Sequence, residues 1–426
     1  VDGARPWVMH EWLFGPVYAR GLTRWGPVFF VAAGMLFALV SIASVVARTV
    51  GRARHLAGGA SLAFLALAVG RECLFTPRPG YATLALPVLV GAVAFATSWR
   101  AFHPLAALAL TLLWTNLHGS FPLGVALLAA GAVAADDRRR ARALTAVACL
   151  GATFVNPYGA RLHGLVDRYL RGGDPAADVI HASIAEFRPL WELREPFVNA
   201  RVVVGLVAMA WLVARGLAYG DRARRVRACV VGALLALSVL HARHAVLCVV
   251  LGATLLVDEL DAWLDRAALP DTSSVARGKI LAASVGPGCA LGALVRAWAN
   301  ARVASRADWI SPGLGGREVV ALARELPAGA RVWAPFESTG LVVWVSGRRG
   351  ARVLFDARND CYSAAVITAG VMLEQGRGTA RERCEVFRRY RVTHALAPAA
   401  HPVIVGLRAC GWRESARRGA WVLLSE

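Results

Sequence analysis

Lysine is all but missing from this chain. Lys279 is the only one, so arginine supplies nearly all of the 48 basic residues, set against 28 acidic ones. Charge is scarce: 18% of the 426 residues are charged, 57% are hydrophobic, and the mean hydropathy is +0.50. That composition excludes intrinsic disorder, the length excludes a disulfide-stapled miniprotein, and the lack of a short repeat excludes collagen and coiled coil. There is no Cys-x-x-Cys pair, Walker loop, Gly-x-Ser-x-Gly elbow or His-Glu-x-x-His helix, so the motifs of redox, nucleotide, hydrolase and zinc chemistry are missing. Of the eight cysteines, Cys149, Cys229, Cys248 and Cys289 stand in apolar runs and read as packing residues. A net charge of +20 would suit a nucleic-acid binder if the arginines formed one surface. They fall between apolar runs instead, so no nucleic-acid partner is expected.

What the chain has in abundance is uncharged length. Crossing about 30 Å of hydrocarbon takes about 20 apolar residues, and residues 25–47 and 79–99 qualify. Residues 101–135 hold no charged side chain and are too long for one crossing, so they should form a hairpin that breaks at Asn116-Leu117-His118-Gly119-Ser120-Phe121-Pro122. Residues 56–70, 143–155, 202–214, 228–242, 244–257 and 280–295 complete an expected set of about ten crossings. Arginines at 48, 52 and 54, at 100, at 138–140 and 142, and at 222, 224, 225 and 227 fall on alternate connections, which makes that side cytoplasmic. A single helix over 228–257 would put Arg243 in mid-membrane at a cost of at least about 2.5 kcal/mol, so a hairpin with Arg243 on the external side is preferred.

From about Ser311 charges become frequent and apolar runs shrink to strand length. The expected fold is mainly α: a polytopic transmembrane helical bundle over 25–300, preceded by the end of an external loop over 1–24. A small soluble α/β domain follows over 311–426, with strands at 332–334, 353–355, 395–397 and 421–424 and helices at 364–374, 380–390 and 402–410. An even number of crossings leaves both chain ends external.

The external connections collect His10-Glu11-Trp12-Leu13, Arg78-Pro79, Asn116-Leu117-His118-Gly119, Asn156-Pro157-Tyr158-Gly159, Glu186-Phe187-Arg188-Pro189 and Arg243-His244, whereas the cytoplasmic ones carry mainly arginine. A polar constellation at one mouth of an apolar bundle marks a cavity opening to that side. These segments, with Trp7 and Trp114 preceding two of them, resemble the motif series of bacterial polytopic membrane proteins grouped with GT-C glycosyltransferases. In the tail, Pro335-Phe336-Glu337, Gly340, Trp344, Phe355-Asp356-Ala357-Arg358 and Tyr362 are similar to the soluble module of those proteins. The family usually has an N-terminal span and then an acidic external loop. Only the end of that loop is recognised here, so the chain is read as N-terminally truncated, and it stays open whether the general base lies upstream. Ser338-Thr339-Gly340 replaces a glycine-rich turn.

The resemblance implies a GT-C-like fold and transfer of a sugar from a polyprenyl-phosphate carrier to a glycan, lipid or protein acceptor. The reaction would take place on the extracytoplasmic side of a bacterial cytoplasmic (inner) membrane, with the tail on that side. Inverting displacement needs one carboxylate to take the acceptor proton and donors or cations to receive the departing lipid phosphate. Glu11 is the first candidate base, the alternative being a carboxylate paired with Arg5 or His10; Glu186 is the second, its alternative a salt bridge to Arg188 or Arg194. Arg243 is the candidate phosphate partner, or else an arginine reaching for the interface. His10, Arg78, Asn116, His118, Asn156, Tyr158 and His244 complete the expected substrate-binding set. Structural alternatives remain for four of them: a hydrogen-bonded turn at Asn116 and His118, a helix end at Asn156, and an anchor for the next span at Arg78. No cofactor is assigned. A divalent metal at His10, Glu11 and His118 would require the three to converge. The alternative function is a non-catalytic scaffold or a transporter for lipid-linked glycans, which would show inverted repeats or a charged path to both sides.

Overall fold

The computed structural model describes residues 8–9, 11–25, 27–74, 82–171, 174–193, 199–267, 316–356 and 361–426. It is mainly helical with one small sheet, and it divides into two compact units: 10–163 with 184–301, and 1–9 with 164–183 and 302–426.

Among the described residues the regular elements of the first unit are helices: α1 (Phe14–Trp25), α2 (Pro27–Arg52), α3 (Leu56–Leu74), α4 (Ala82–Ala94), α5 (Pro104–Leu117), α6 (Pro122–Ala134), α7 (Arg139–Ala152), α10 (Ala200–Tyr219), α11 (Arg222–Leu240), α12 (Ala245–Leu255) and α13 (Val257–Arg266). The expected hairpin breaks where the sequence placed it: α5 and α6 each begin on a proline, which has no N–H to lose at a first turn, and Asn116–Pro122 joins them. The break before Arg243 is likewise present. α11 stops at Leu240, a 3₁₀ turn covers Ala242–His244, and α12 follows.

α12 lies at the centre, with every residue except Val246 buried, packed by α2, α3, α4, α10 and α11. An apolar helix covered on all sides is a core element. The outer helices turn apolar side chains outward: Phe64, Leu105 and Leu144 are 75%, 80% and 70% exposed, with Leu36, Val147 and Val207 similarly uncovered. Apolar exposure of this extent on α2, α3, α5, α7 and α10 suits a lipid surround. Two helical stretches among the described residues are long and apolar enough to cross a membrane, Ala32–Arg52 and Ala200–Tyr219. The other expected spans in the described chain are shorter helices, and residues 280–295 lie outside it.

One end of this unit is ionic, and it is less purely arginine than the sequence reading held. Asp258 accepts from Arg52 at 2.8 Å and from Arg227 at 2.7 Å, and Glu259 receives both forks of Arg224. Asp261 accepts from the backbone N–H groups of Arg54 and His55, and Asp137 from Arg142 and the Trp99 N–H. The role of the acidic α13 is not legible locally, because its carboxylates lie far in sequence from the arginines they neutralise.

The second unit contains α8 (Ala160–Arg171), in which the boundary falls, α9 (Pro175–Ser183), and the tail. The tail runs α14 (Gly316–Glu325), β1 (Arg331–Trp333), α15 (Phe336–Ser346), β2 (Arg352–Val353), α16 (Ala364–Glu374), α17 (Ala380–Arg389), β3 (His394–Pro398), α18 (Pro402–Ala409), β4 (Arg413–Arg418) and β5 (Trp421–Ser425). Strand order is β2-β1-β3-β5-β4, with the first three parallel and the last two pairings antiparallel. Strand alternation splits the core: Ala395, Ala397, Val422 and Leu424 face α16, α17 and α18, while Leu396 and Leu423 face α14 and α15. All four expected strands are present. β4 escaped notice because Arg-Glu-Ser-Ala-Arg-Arg has no apolar period; it is a charged edge strand. α9 packs on α16, so residues 164–183 group with the tail, outside the 311–426 bounds read from sequence. Two cysteines are not simple packing residues: Cys384 and Cys410 form a disulfide that ties α17 to the end of α18. Cys149 and Cys248 are buried as expected, Cys229 is exposed, and Cys289 lies outside the described residues.

Candidate functional site

The turn between α5 and α6 gathers the first group of polar side chains. Ser120 Oγ accepts from the Trp114 indole N–H at 3.1 Å and contacts His118 Nδ1 at 2.8 Å, and the Ser120 backbone N–H also donates to Nδ1 at 3.1 Å. The Ser120 backbone N–H can only donate. Nδ1 is therefore an acceptor, and the proton of the neutral ring sits on Nε2. Nε2 faces Glu11 Oε1 at 3.5 Å. The carboxylate is thereby held beside a fixed N–H donor, and both side chains are largely covered, 27% exposed for Glu11 and 14% for His118.

Asn116 fastens three segments. Its Oδ1 accepts from the Trp12 indole at 2.7 Å, and its Nδ2 donates to the carbonyls of Leu112 at 2.8 Å and Val155 at 3.1 Å. The Leu13 N–H donates to the Asn116 carbonyl. Asn156 works in the same way on the turn after α7: Oδ1 accepts from the Tyr158 N–H and Nδ2 donates to the Thr153 carbonyl. It organises this turn rather than capping a helix, since α7 has ended at Ala152 and α8 starts at Ala160. Both amides are thus taken up in holding backbone, and they deliver Trp12 and Pro157 to one surface. That surface is an open cleft of about 620 Å³ lined by Trp12, Leu13, Leu112, Leu113, Asn116, Val155, Asn156 and Pro157. It is mostly apolar, with the two amides as its polar points. Tyr158 is half-buried beside it.

A second group forms where the chain returns between α11 and α12. Phe187 lies in the 3₁₀ turn Ala185–Phe187; its carbonyl contacts His241 Nδ1 at 2.6 Å, and the Ala242 N–H donates to the Arg188 carbonyl. Arg243 stacks its guanidinium over the Phe187 ring at 4.2 Å. It is exposed, with no carboxylate partner among the described residues, and His244 stands half-buried next to it. Arg188 pairs with Glu192 rather than with Glu186, which is half-buried without an ion pair among the described residues. Phe187 as the platform under Arg243 was not foreseen, although an aromatic next to Glu186 was visible.

Helix packing puts both groups at one end. The Arg222 guanidinium donates to the Val133 carbonyl, so the C-terminus of α6 lies beside the start of α11, and these helices pack along each other. They are therefore antiparallel, and the start of α6 shares an end with the close of α11, away from the ionic end. His10, Arg78, Arg194 and Arg358 lie outside the described residues. Glu11 and His118 do approach, but no three His, Cys, Asp or Glu side chains assemble as a metal site among the described residues. In the tail, Asp356 accepts from the buried Tyr362 hydroxyl at 3.0 Å.

Compared with known proteins, the chain matches no protein-family model and no curated protein. Among solved structures, it is similar to ArnT from Cupriavidus metallidurans in the apo state, with 13% identity and a TM-score of 0.49 over 96% of this chain and 86% of that one.

Proposed function

We propose that the chain is a membrane glycosyltransferase of the GT-C type, moving a sugar from a polyprenyl-phosphate carrier to an acceptor on the extracytoplasmic side of a bacterial inner membrane. The observation that carries this reading is the Glu11–His118 pair, held beside an apolar cleft at the end of the bundle opposite the arginine-rich one. Glu11 is the base that takes the acceptor hydroxyl proton. The acceptor oxygen bonds to the anomeric carbon as that carbon's bond to the phosphate oxygen breaks. The electron pair leaves on the phosphate, and the configuration inverts. His118, with its proton on Nε2, holds the carboxylate in place. Arg243 receives the phosphate through its fork, held in place by the Phe187 ring.

The arginine-rich end supports a cytoplasmic assignment for that side. The Cys384–Cys410 disulfide supports an oxidising compartment for the tail. The test is transfer in vesicles supplied with a polyprenyl-phosphate sugar. Glu11→Gln is expected to lower the rate by at least about 100-fold, and Arg243→Ala to abolish transfer, with helix content unchanged by circular dichroism. Wild-type rates in both variants reject this centre. Loss in Glu186→Gln with Glu11→Gln still active moves the base to Glu186.

A further inference from the structure

At the ionic end the arginines hold different partners: Arg139, Arg222 and Arg225 bond backbone carbonyls, and Arg138 lies over the Trp99 ring. Arg52, Arg54, Arg142, Arg224 and Arg227 each hold a carboxylate. Arg215 and Arg266 hold only aromatic faces among the described residues. The Arg215 guanidinium lies 5.2 Å from the Trp211 ring centre and 5.6 Å from that of Tyr219, one helical turn away on either side along α10. Its Nε and Nη2 are buried, with no hydrogen-bond partner among the described residues. Arg266, from the end of α13, covers the same Tyr219 ring at 4.8 Å, and Trp263 meets Trp211 edge-on at 5.4 Å.

We infer that this cluster is a binding site for the headgroup phosphate of an anionic phospholipid in the leaflet at the arginine-rich end. α10 is one of the two helical stretches long enough to span, and Arg215 sits four residues, about 6 Å, inside its final residue. A guanidinium at that depth is drawn to the interface, and stacking on rings holds its charge there at headgroup level, with the Nε and Nη2 edge turned inward. Val207 and Val204, exposed about two and three turns deeper along α10, offer an apolar track for the acyl chain. Trp211, Tyr219 and Trp263 are 40%, 61% and 42% exposed and stand where an aromatic belt meets headgroups. Two cations with no carboxylate partner among the described residues, converging on one ring at the border of an apolar face, complement an anion with an apolar tail. The site is separate from the proposed transfer centre; it requires membrane embedding but not the reaction.

The test is native mass spectrometry of the full chain released from mixed phosphatidylcholine and phosphatidylglycerol micelles. Wild type should retain phosphatidylglycerol preferentially. Arg215→Gln and Arg266→Gln should each lower that retention about fivefold and the double variant about 25-fold. Arg139→Gln is the control. Arg139 is exposed at the same end and bonded to the Ala135 carbonyl of the preceding turn, so its loss should change nothing. The single variants carry the test if the double variant does not fold. Equal retention of both lipids by wild type, an equal loss in Arg139→Gln, or displacement of the lipid by millimolar inorganic phosphate would overturn the assignment. A chain that stays in water without detergent and binds no vesicle would overturn the membrane reading as well.

Discussion

Asp258 shows how one side chain settles the ionic end. It accepts from Arg52 and from Arg227, whose side chain is only 8% exposed, so a neutral amide there leaves two guanidiniums short of charge at once. Asp258→Asn should lower stability by about 2 kcal/mol, read as a drop in the thermal midpoint of the detergent-solubilised chain. An unchanged midpoint would mean that the two arginines find other partners. Burial holds the Arg227 guanidinium below its ordinary pKa despite the nearby carboxylate, the mark of a charge kept by its partner rather than by water. At the opposite end the same scale of argument fixes a proton: the Ser120 backbone N–H, which can only donate, decides the His118 tautomer. His118 and Glu11 were legible as candidates in the sequence. Their 3.5 Å contact was not, because more than a hundred residues separate them and only packing closes that distance.

Among the elements, α4 and α6 pack so closely that a Cβ on Gly131 would stand 2.2 Å from the Ala94 carbonyl oxygen. Gly131→Val should therefore force the helices apart and cost about 1–3 kcal/mol, whereas Gly151→Ala, with nothing within 4 Å, should not destabilise. Thermal unfolding of the two variants side by side checks the contrast. In the tail, α17 is opened by a capping box in which Thr379 and Glu382 bond each other's backbone N–H. The Thr379 backbone N–H, then its hydroxyl, holds the Glu382 carboxyl below the ordinary 4.5. A carboxylate with a depressed folded pKa contributes stability above the unfolded value and loses it as pH falls through the folded one. Acid unfolding below about pH 4.5 should thus carry a contribution from Glu382 that Glu382→Gln removes; identical acid limbs in the two proteins would exclude it. Hairpin breaks and capping signals of this kind are local, which is why the α5–α6 turn, α16 and the four apolar strands could be placed from sequence. β4 and the acidic α13 could not, since each owes its position to partners far along the chain.

For the molecule as a whole, the disulfide is the most direct handle on where the tail resides. It closes a separation of 26 residues, so replacing Cys384 and Cys410 by serine should cost the tail about 3 kcal/mol, measured as a lower unfolding midpoint of the full chain without reductant. Wild type treated with reductant should show the same loss. In cells, the exposed Cys410 should resist a membrane-impermeant thiol reagent until reduced and react afterwards. No reaction even after reduction would place the tail on the side the reagent cannot reach and contradict the proposed topology.

Composition and spacing alone settled that this chain is an apolar helical body with a small α/β tail, that residues 101–135 turn back on themselves, and that the arginines cluster on alternate connections. Those properties follow from how many uncharged residues stand in a row and where proline and polar groups interrupt them. The tertiary structure alone decided which carboxylates neutralise which arginines, that Asn116 and Asn156 fasten backbone, that Glu11 meets His118, and that residues 164–183 join the tail. Each of these is a contact between segments remote in sequence, set by the packing of whole helices, and no local pattern of residue types encodes it.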